Sequence, residues 1–210
     1  AGEGPFPVII LLHGFSENYR NYGILNYTQR YTDSLAAAGF LVLHPNLRSF
    51  APSEEGPNPL CTGFVVDVLN LIAIVQERAG QPGLLEHADP ERIGLWGHSM
   101  GAGIAQRVMV ASPAVDAVVV YAGMPSDERI NVAQVYPTFG DDLCETAGLE
   151  LSEEDFARIS AIDNLQESAA AVYVAHGESD RVAPLVVSQN LCRRLEAAER
   201  TFECRYYPNQ

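Results

Sequence analysis

The stretch IGLWGHSMGAG, residues Ile93–Gly103, places Ser99 between Gly97 and Gly101. An apolar run precedes the serine and a helix-like run follows it, which is the pattern of a sharp turn from a strand into a helix. Glycines beside the serine remove side chains where the helix and the strand crowd together. The stretch therefore predicts that Ser99 is a nucleophile, and a glycine-rich tight turn without chemistry is the alternative.

Continuous apolar runs and amphipathic stretches alternate along the rest of the chain. Continuously apolar runs are typical of strands in a parallel sheet that is covered on both faces. The predicted strands are Val8–Leu12, Phe40–His44, Ile93–Trp96, Ala117–Tyr121, Val172–Ala175 and Phe202–Tyr207. The predicted helices are Tyr27–Ala38, Phe64–Arg78, Gly101–Ala111 and Pro184–Ala198. This alternation predicts an α/β fold with a doubly wound, mostly parallel sheet and right-handed crossovers.

Size and charge limit what the chain can bind. Residues 1–210 fit one domain with a substantial core. The formal net charge is −14, so nucleic acid and anionic membrane surfaces are disfavoured as partners. No apolar run approaches the roughly 20 residues that span a bilayer. The chain opens without methionine, almost directly in a strand, and has no readable signal peptide, so we expect a segment upstream of Ala1. The compartment and the oligomeric state stay open.

The four cysteines carry no metal-binding pattern. Cys61, Cys144, Cys192 and Cys204 form no C-x-x-C pair, and no histidine lies at zinc-ligand spacing from any of them. A domain of this size does not need disulfides for stability. Cys192 falls on a core-facing position of a predicted helix and Cys204 falls in a predicted strand. We expect both to be buried free thiols.

Residues 124–168 interrupt the alternation of strands and helices. This segment has no strand pattern, whereas Ser152–Ser160 has a helix cap followed by an acidic first turn. It is too long for a plain loop, so we predict a small helical cap insert over one end of the sheet. Eleven acidic residues and two arginines give the insert a charge of −9, which would repel anionic substrates from a pocket beneath it.

Two stretches are candidates for the amide donors that a nucleophilic serine needs. A tetrahedral oxyanion requires two preorganised N–H groups. One is the N–H of Met100, which follows the serine at the start of a helix. In LLHGFSENY (Leu11–Tyr19), Gly14 allows a turn that points the Phe15 N–H inward, although a strand-ending turn with a core histidine fits the same residues.

A candidate acid follows the strand Val172–Ala175, in the stretch HGESDRV (His176–Val182). A carboxylate at this place reaches the edge of the sheet where the strands end, and can orient a histidine there. Asp180 is the first candidate and Glu178 is the reserve. The alternative is a turn residue or a helix cap before Pro184.

The motifs LLHGF, GHSMG and HGESDRV, in this order, resemble the α/β-hydrolase superfamily. Within it, DPERIGLWGHSMG (Asp89–Gly101) followed by HGESDRVAP is most similar to the prolyl-oligopeptidase and dienelactone-hydrolase-like branch. The resemblance extends from Pro7 to Asn209. It implies an α/β-hydrolase fold and a Ser-His-Asp hydrolase of esters or amides, with no metal or organic cofactor.

Carried over residue by residue, the resemblance implies Ser99 as nucleophile, Asp180 as acid, and Phe15 and Met100 as backbone donors. The chain departs from this branch in two places. The stretch NLRSFAPSEEG keeps Arg48 but lacks the glycines of the family loop, and we expect a structural salt bridge for Arg48. Dienelactone hydrolases use cysteine where this chain has serine, so their specific activity is not implied.

The histidine of the triad has no candidate in the sequence. In this fold the order along the chain is serine, acid, histidine. The five histidines are His13, His44, His87, His98 and His176, and all precede Asp180. His98 is adjacent to Ser99, but consecutive side chains diverge on a sharp turn, so we expect it to pack at the wall of the pocket. We expect His13 and His176 to fix loops by hydrogen bonds.

The last predicted strand runs into the segment TFECRYYPNQ, which ends at Gln210. Members of the resembled family continue from such a Tyr-Pro segment into a loop that carries a histidine. We therefore expect the α/β-hydrolase domain to be incomplete at both ends, and its catalytic histidine to follow Gln210.

Two functions from different classes fit these motifs. The first is a serine hydrolase that cleaves a carboxylic ester or peptide bond of a small-molecule or peptide substrate, through an acyl-enzyme on Ser99. The second is a non-catalytic binding or scaffold module with the same fold. A scaffold has no reason to keep an activated serine, so reactivity at Ser99 separates the two.

Overall fold

The computed structural model of the chain describes residues 3–16, 25–140 and 143–210, and only the backbone of residues 25–30. Three parts of the predictions lie outside the described residues. They are the first two residues of the predicted domain, residues 17–19 of the motif after the first strand, and Asp141 and Asp142 of the insert.

Within the described residues, six strands form one sheet in the order β2-β1-β3-β4-β5-β6. Every neighbouring pair of strands is parallel. The strands are β1 (Phe6–Leu12), β2 (Leu41–Leu43), β3 (Ala88–His98), β4 (Ala117–Tyr121), β5 (Ala171–Gly177) and β6 (Phe202–Tyr207). The predicted parallel sheet is confirmed, and β4 and β6 have the predicted bounds.

β3 is longer than its apolar run indicates. It begins at Ala88, five residues before the predicted start, and its first two residues pair with Phe6 and Pro7 of β1. Glu91 and Arg92 in this extension are exposed. Strand pairing uses backbone groups and needs no apolar side chains, so a search for apolar runs misses this part of the strand.

Helices cover both faces of the sheet. They are α1 (Leu25–Ala37), α2 (Thr62–Arg78), α3 (Met100–Ala111), α4 (Glu128–Ile130), α5 (Glu153–Ile159) and α6 (Leu185–Ala197). α2 and α3 pack on the face that carries Val8, Ile10 and Leu95. α1 lies on the opposite face, where the ring of Tyr31 is 4.9 Å from that of Trp96. The sheet is therefore doubly wound, as predicted. Among the described helices, none is long and apolar enough to cross a membrane.

The described part of the insert, residues 124–168, consists of short helices and contains no strand. The predicted cap of its longest helix, α5, is present: the Ser152 hydroxyl accepts a hydrogen bond from the Asp155 N–H at 3.2 Å. Part of the acidic charge is neutralised within the segment, because Arg129 forms ion pairs with three carboxylates. Those are Asp127, Glu153 and Asp163.

The prediction of free thiols is wrong. Cys192 of α6 is bonded to Cys204 of β6, and Cys61 is bonded to Cys144 of the insert. Burial alone does not distinguish a buried thiol from a buried disulfide, and the partners are elements whose proximity depends on the fold. The Cys61–Cys144 bond ties the insert to the start of α2.

We predict that the two disulfides contribute unequally to stability. In the chain-entropy description, a disulfide stabilises more when it closes a longer loop. The Cys61–Cys144 separation is 83 residues and the Cys192–Cys204 separation is 12. Replacing the first pair by serines should lower the free energy of unfolding by about 4.5 kcal/mol, and the second by about 3 kcal/mol. Urea unfolding of the oxidised protein measures both values, and an equal or larger cost for the second pair would contradict the prediction.

Candidate active site

The strand order places the topological switch point of the sheet between β1 and β3. The chain adds β2 on one side of β1 and then returns to add β3 on the other side. In open α/β sheets, the connections leave two such strands in opposite directions and open a crevice that binds ligands. β1 ends at Leu12 and β3 ends at His98, so the segment His13–Phe15 and Ser99 both lie at this crevice.

Ser99 connects β3 to α3 in a strained backbone conformation, with φ 53° and ψ −118°. Such a conformation costs about 1–3 kcal/mol in a non-glycine residue and persists only where its surroundings hold it. The end of β4 holds it here. The Ser99 N–H donates to the Tyr121 carbonyl at 3.0 Å, and the Ser99 carbonyl accepts from the Met124 N–H at 3.2 Å. Ser99 thus lies on a strand-to-helix turn, as the sequence predicts.

Two glycines allow the close packing of this turn. A Cβ on Gly97 would overlap the backbone of Gly101 and lie 2.6 Å from that of Ala102. A Cβ on Gly101 would overlap the carbonyl group of Leu12 and lie 2.7 Å from the His13 oxygen. Any side chain at Gly101 would therefore separate the start of α3 from the end of β1.

This close approach brings together the two segments that carry the predicted amide donors. Met100 is the first residue of α3, so no carbonyl within the helix is available to its N–H. The next residue, Gly101, lies against the start of the segment His13–Phe15. The ring of Phe15 packs on Phe139 of the insert, with 4.7 Å between the ring centres.

His13 orients the peptide group that contains the Phe15 N–H. Its Nδ1 donates to the carbonyl of Gly14 at 2.9 Å. In a trans peptide the carbonyl of one residue and the N–H of the next point in opposite directions. The bond to Gly14 therefore directs the Phe15 N–H away from His13. His13 is fully buried, and burial lowers its pKa to about 4, so the ring stays neutral at physiological pH.

The predicted acid is held by its own loop. The Asp180 carboxylate accepts hydrogen bonds from the N–H groups of Val182 at 2.8 Å and Ala183 at 3.0 Å. These bonds aim a half-buried carboxylate from the end of β5. Glu178, the reserve candidate, is exposed. The local geometry thus favours Asp180 as the carboxylate of the site.

His176 fixes the loop that carries Asp180, residues 178–184, which we call the acid loop. This agrees with the expectation that His176 fixes a loop by hydrogen bonds. Its Nε2 lies 2.8 Å from the Ala183 carbonyl, which can only accept, so this nitrogen is the donor. Its Nδ1 forms a hydrogen bond with the Ser188 hydroxyl of α6 at 2.7 Å. The ring is fully buried and joins both ends of the loop to α6.

His98 is the last residue of β3 and directly precedes Ser99. Its ring packs on Tyr121, with 4.9 Å between the ring centres. Burial lowers the pKa of His98, and the negative charge of Asp180 opposes this shift. Within residues 3–16, 25–140 and 143–210, no histidine ring forms a hydrogen bond with the Ser99 hydroxyl, so the described residues do not assemble a triad.

Arg48 makes the expected structural salt bridge, with two bonds to Asp67 at 2.7 and 3.0 Å.

Several contacts of the site have no sequence motif. Tyr121 and Met124 hold the serine turn through backbone groups, and Ser188 reaches His176 across the fold. The bonds of Tyr121 and Met124 use backbone groups, which do not depend on residue type, so no residue pattern could identify these bonds.

A described groove lies elsewhere in the molecule. It has a volume of about 650 Å³ and runs beside α1, against Trp96 and Tyr173. Its lining includes Pro7, Asp116 and Thr201, which are at or before the amino ends of β1, β4 and β6. The serine turn is at the carboxyl ends of the strands, so this groove is separate from the candidate active site. Among the described residues, no group of three metal-ligating side chains could hold a metal ion.

We predict that His13 makes folding stability depend on pH. Its pKa is about 4 in the folded protein and near 6.5 in the unfolded chain. Between these values the unfolded chain takes up a proton that the folded protein does not. The contribution of His13 is therefore fully present above pH 6.5 and falls by about 3 kcal/mol as the pH drops to 4.

His13→Asn provides the comparison for this prediction, because its amide nitrogen can reach the Gly14 carbonyl and does not titrate. Urea unfolding between pH 4 and pH 8 should give a steeper pH dependence for the unaltered protein than for the variant. Parallel curves for the two proteins would contradict the prediction.

Comparisons with known proteins agree with this architecture. A family model described as "Alpha/beta hydrolase family" matches residues 9–205. The fold is similar to an acetyl ester-xyloside bifunctional hydrolase from Caldicellulosiruptor lactoaceticus, with a TM-score of 0.74 and 17% identity over all of this chain and 75% of that one. For a Pyrococcus horikoshii acylaminoacyl peptidase the TM-score is 0.72 and the identity 19%, over all of this chain and 34% of that one.

A candidate dienelactone hydrolase from Klebsiella pneumoniae has a TM-score of 0.66 and 17% identity, over all of this chain and 76% of that one. At these identities the likeness shows the fold alone. The chain spans about a third of the acylaminoacyl peptidase and about three quarters of the other two proteins. No curated protein matched the chain.

Proposed function

The chain belongs to the alpha/beta hydrolase family, and we propose that it is a serine hydrolase that cleaves a carboxylic ester or peptide bond through an acyl-enzyme on Ser99. The observation that carries the proposal is the strained turn at Ser99. A positive φ in a non-glycine residue is costly, and clusters of such strain occur at functional sites. This turn presents the serine at the switch point of the sheet, beside the first amide of a helix.

The proposed reaction begins when the Ser99 hydroxyl oxygen attacks the substrate carbonyl carbon. The carbonyl oxygen becomes an oxyanion, which the N–H groups of Phe15 and Met100 stabilise. Collapse of this intermediate breaks the bond to the alcohol or amine and leaves the acyl group on Ser99. Water then attacks the acyl-enzyme by the same route and releases the acid.

A general base must take the Ser99 proton and pass it to the leaving group. β4 lies between β3 and β5, so the strands that carry Ser99 and Asp180 are about 10 Å apart. This spacing leaves room for an imidazole between the hydroxyl and the carboxylate. In the proposal the imidazole belongs to a residue after Gln210. The Gln210 carbonyl accepts from the Ser179 N–H at 2.6 Å, so Gln210 itself lies beside the loop that carries Asp180.

The class of substrate rests on the related folds. Two of the similar structures are an acetyl ester-xyloside hydrolase and an acylaminoacyl peptidase, whose names indicate ester and peptide cleavage respectively. The two reactions share the same acyl-enzyme chemistry, so the site of this chain is compatible with both. Parallel assays on a p-nitrophenyl ester and a peptide p-nitroanilide decide between the two substrates.

Labelling by a fluorophosphonate probe tests the nucleophile. The probe forms a stable bond only with a serine that a nearby base activates. We expect Ser99→Ala to abolish labelling of the full-length protein, as seen by in-gel fluorescence. Ser112→Ala is the matched control, because Ser112 directly follows the same helix that Ser99 precedes. A binding or scaffold module of the same fold would leave the unaltered protein unlabelled, and that result would sink the proposal.

Substitution of the two carboxylates in the acid loop, Asp180 and Glu178, tests which of them acts as the acid. We expect Asp180→Asn to lower kcat for ester hydrolysis by about 10³- to 10⁴-fold, because the imidazole loses the partner that selects its tautomer. Glu178→Gln is the control and should change kcat by less than about twofold, since Glu178 is exposed. Steady-state kinetics measures both. A larger loss for Glu178→Gln would transfer the role to Glu178.

A further inference from the structure

A buried carboxylate joins the insert to the helix that follows Ser99. Glu128 of α4 is only 1% exposed. Its Oε1 accepts a hydrogen bond from the Asn131 amide at 3.0 Å and lies 3.8 Å from a guanidinium nitrogen of Arg107 in α3. Its Oε2 accepts a short hydrogen bond from the Tyr136 hydroxyl. Burial raises the pKa of Glu128, and the charge of Arg107 opposes the rise.

The same cluster contacts the segment before α2. Arg107 donates to the Leu60 carbonyl at 2.8 Å, and the Tyr136 hydroxyl lies 3.3 Å from the same oxygen. The cluster also borders a cavity of about 10 Å³ that is lined by Met100 and Gly103 of α3. It therefore packs against the residue after Ser99 on one side and the insert on the other.

Tyr136 begins the turn that carries Phe139. The two residues are the ends of a single 3₁₀ turn, Tyr136–Phe139, and their ring centres are 6.4 Å apart. Phe139 in turn packs on Phe15 at 4.7 Å. Glu128 is thus connected to Phe15 by three contacts that run through two side chains, Tyr136 and Phe139.

We propose that Glu128 is a positioning residue that sets the substrate preference of the site, by holding Phe139 against Phe15 as an apolar wall for the acyl group. The inference rests on the proposed function and names the substrate class: esters or amides with an uncharged, apolar acyl group. An acyl chain is bonded to the carbon whose oxygen meets the Phe15 amide, so its first atoms lie beside the Phe15 ring. Charged acyl groups would lose hydration against these two phenyl rings, which have no polar group to pair with them.

A pair of esters that differ only in acyl length tests the inference. Butyrate has two more methylene groups than acetate, and an apolar wall should favour p-nitrophenyl butyrate by about tenfold in kcat/KM. Phe139→Ala should remove most of this preference by raising KM for butyrate, so that the ratio of kcat/KM for butyrate to that for acetate falls toward one. A purely structural defect would lower both values by the same factor.

Substitutions in the buried cluster should change the same quantity, which is the ratio of kcat/KM for butyrate to kcat/KM for acetate. Glu128→Ala should reduce the butyrate preference, whereas Glu128→Gln should keep most of it, because the one acceptor oxygen of glutamine can still take the hydrogen bond of the Tyr136 hydroxyl. Tyr136→Phe is the milder variant if Glu128→Ala does not fold. Tyr173→Phe is its matched control, since this tyrosine of β5 bonds to Tyr207 of β6 at 3.2 Å, outside the insert.

The outcomes separate the two proposals. Ser99-dependent hydrolysis with an unchanged ester ratio in Phe139→Ala and Tyr136→Phe overturns the role of the cluster and leaves the proposed function standing. Absence of Ser99-dependent hydrolysis of either ester overturns the proposed function and this inference with it. A change of the ratio in Tyr173→Phe equal to that in Tyr136→Phe also overturns the role of the cluster.

Discussion

The close approach between the start of α3 and the end of β1 is the constraint on which the candidate site depends. Only glycine fits at position 101, where a Cβ would overlap the Leu12 carbonyl. This contact brings the first amide of α3 next to the segment that follows β1. Ser99 connects β3 to α3 beside this contact, in a strained conformation that its hydrogen bonds to Tyr121 and Met124 hold. The strained backbone of Ser99, the start of α3 and the end of β1 thus lie together because of one packing requirement.

The insert adds a second layer of constraint from a different direction. Its described residues form only short helices, which contribute little stability of their own. They are held instead by one disulfide, by the ion pairs of Arg129 and by the buried cluster around Glu128. The carboxylate of Glu128 would be costly without Arg107 and Tyr136, because an unpaired buried charge destabilises a fold by several kcal/mol. The cluster therefore favours one position of the insert against α3.

The described histidines illustrate how burial determines what a residue type does. His13 and His176 lie at the ends of strands near Ser99, where a base would be useful. Both are fully buried, and both spend ring nitrogens on backbone or hydroxyl partners of the loops beside them. Through these bonds the ring of His13 orients the peptide after Gly14, and the ring of His176 holds the loop that carries Asp180. Hydrogen-bond geometry, rather than the presence of histidine, assigns these roles.

The sequence by itself determined the parallel sheet, the order of the elements and the serine turn, because these depend on local patterns of apolar residues and glycines. It also identified Asp180 and the segment around Phe15 as candidates, since both follow predicted strands. Only the tertiary structure decided the disulfides, the extension of β3, the partners of His176 and the cluster around Glu128. Each of these joins residues of different elements, or uses backbone groups that every residue has. Their proximity is a product of packing, which a linear pattern does not encode.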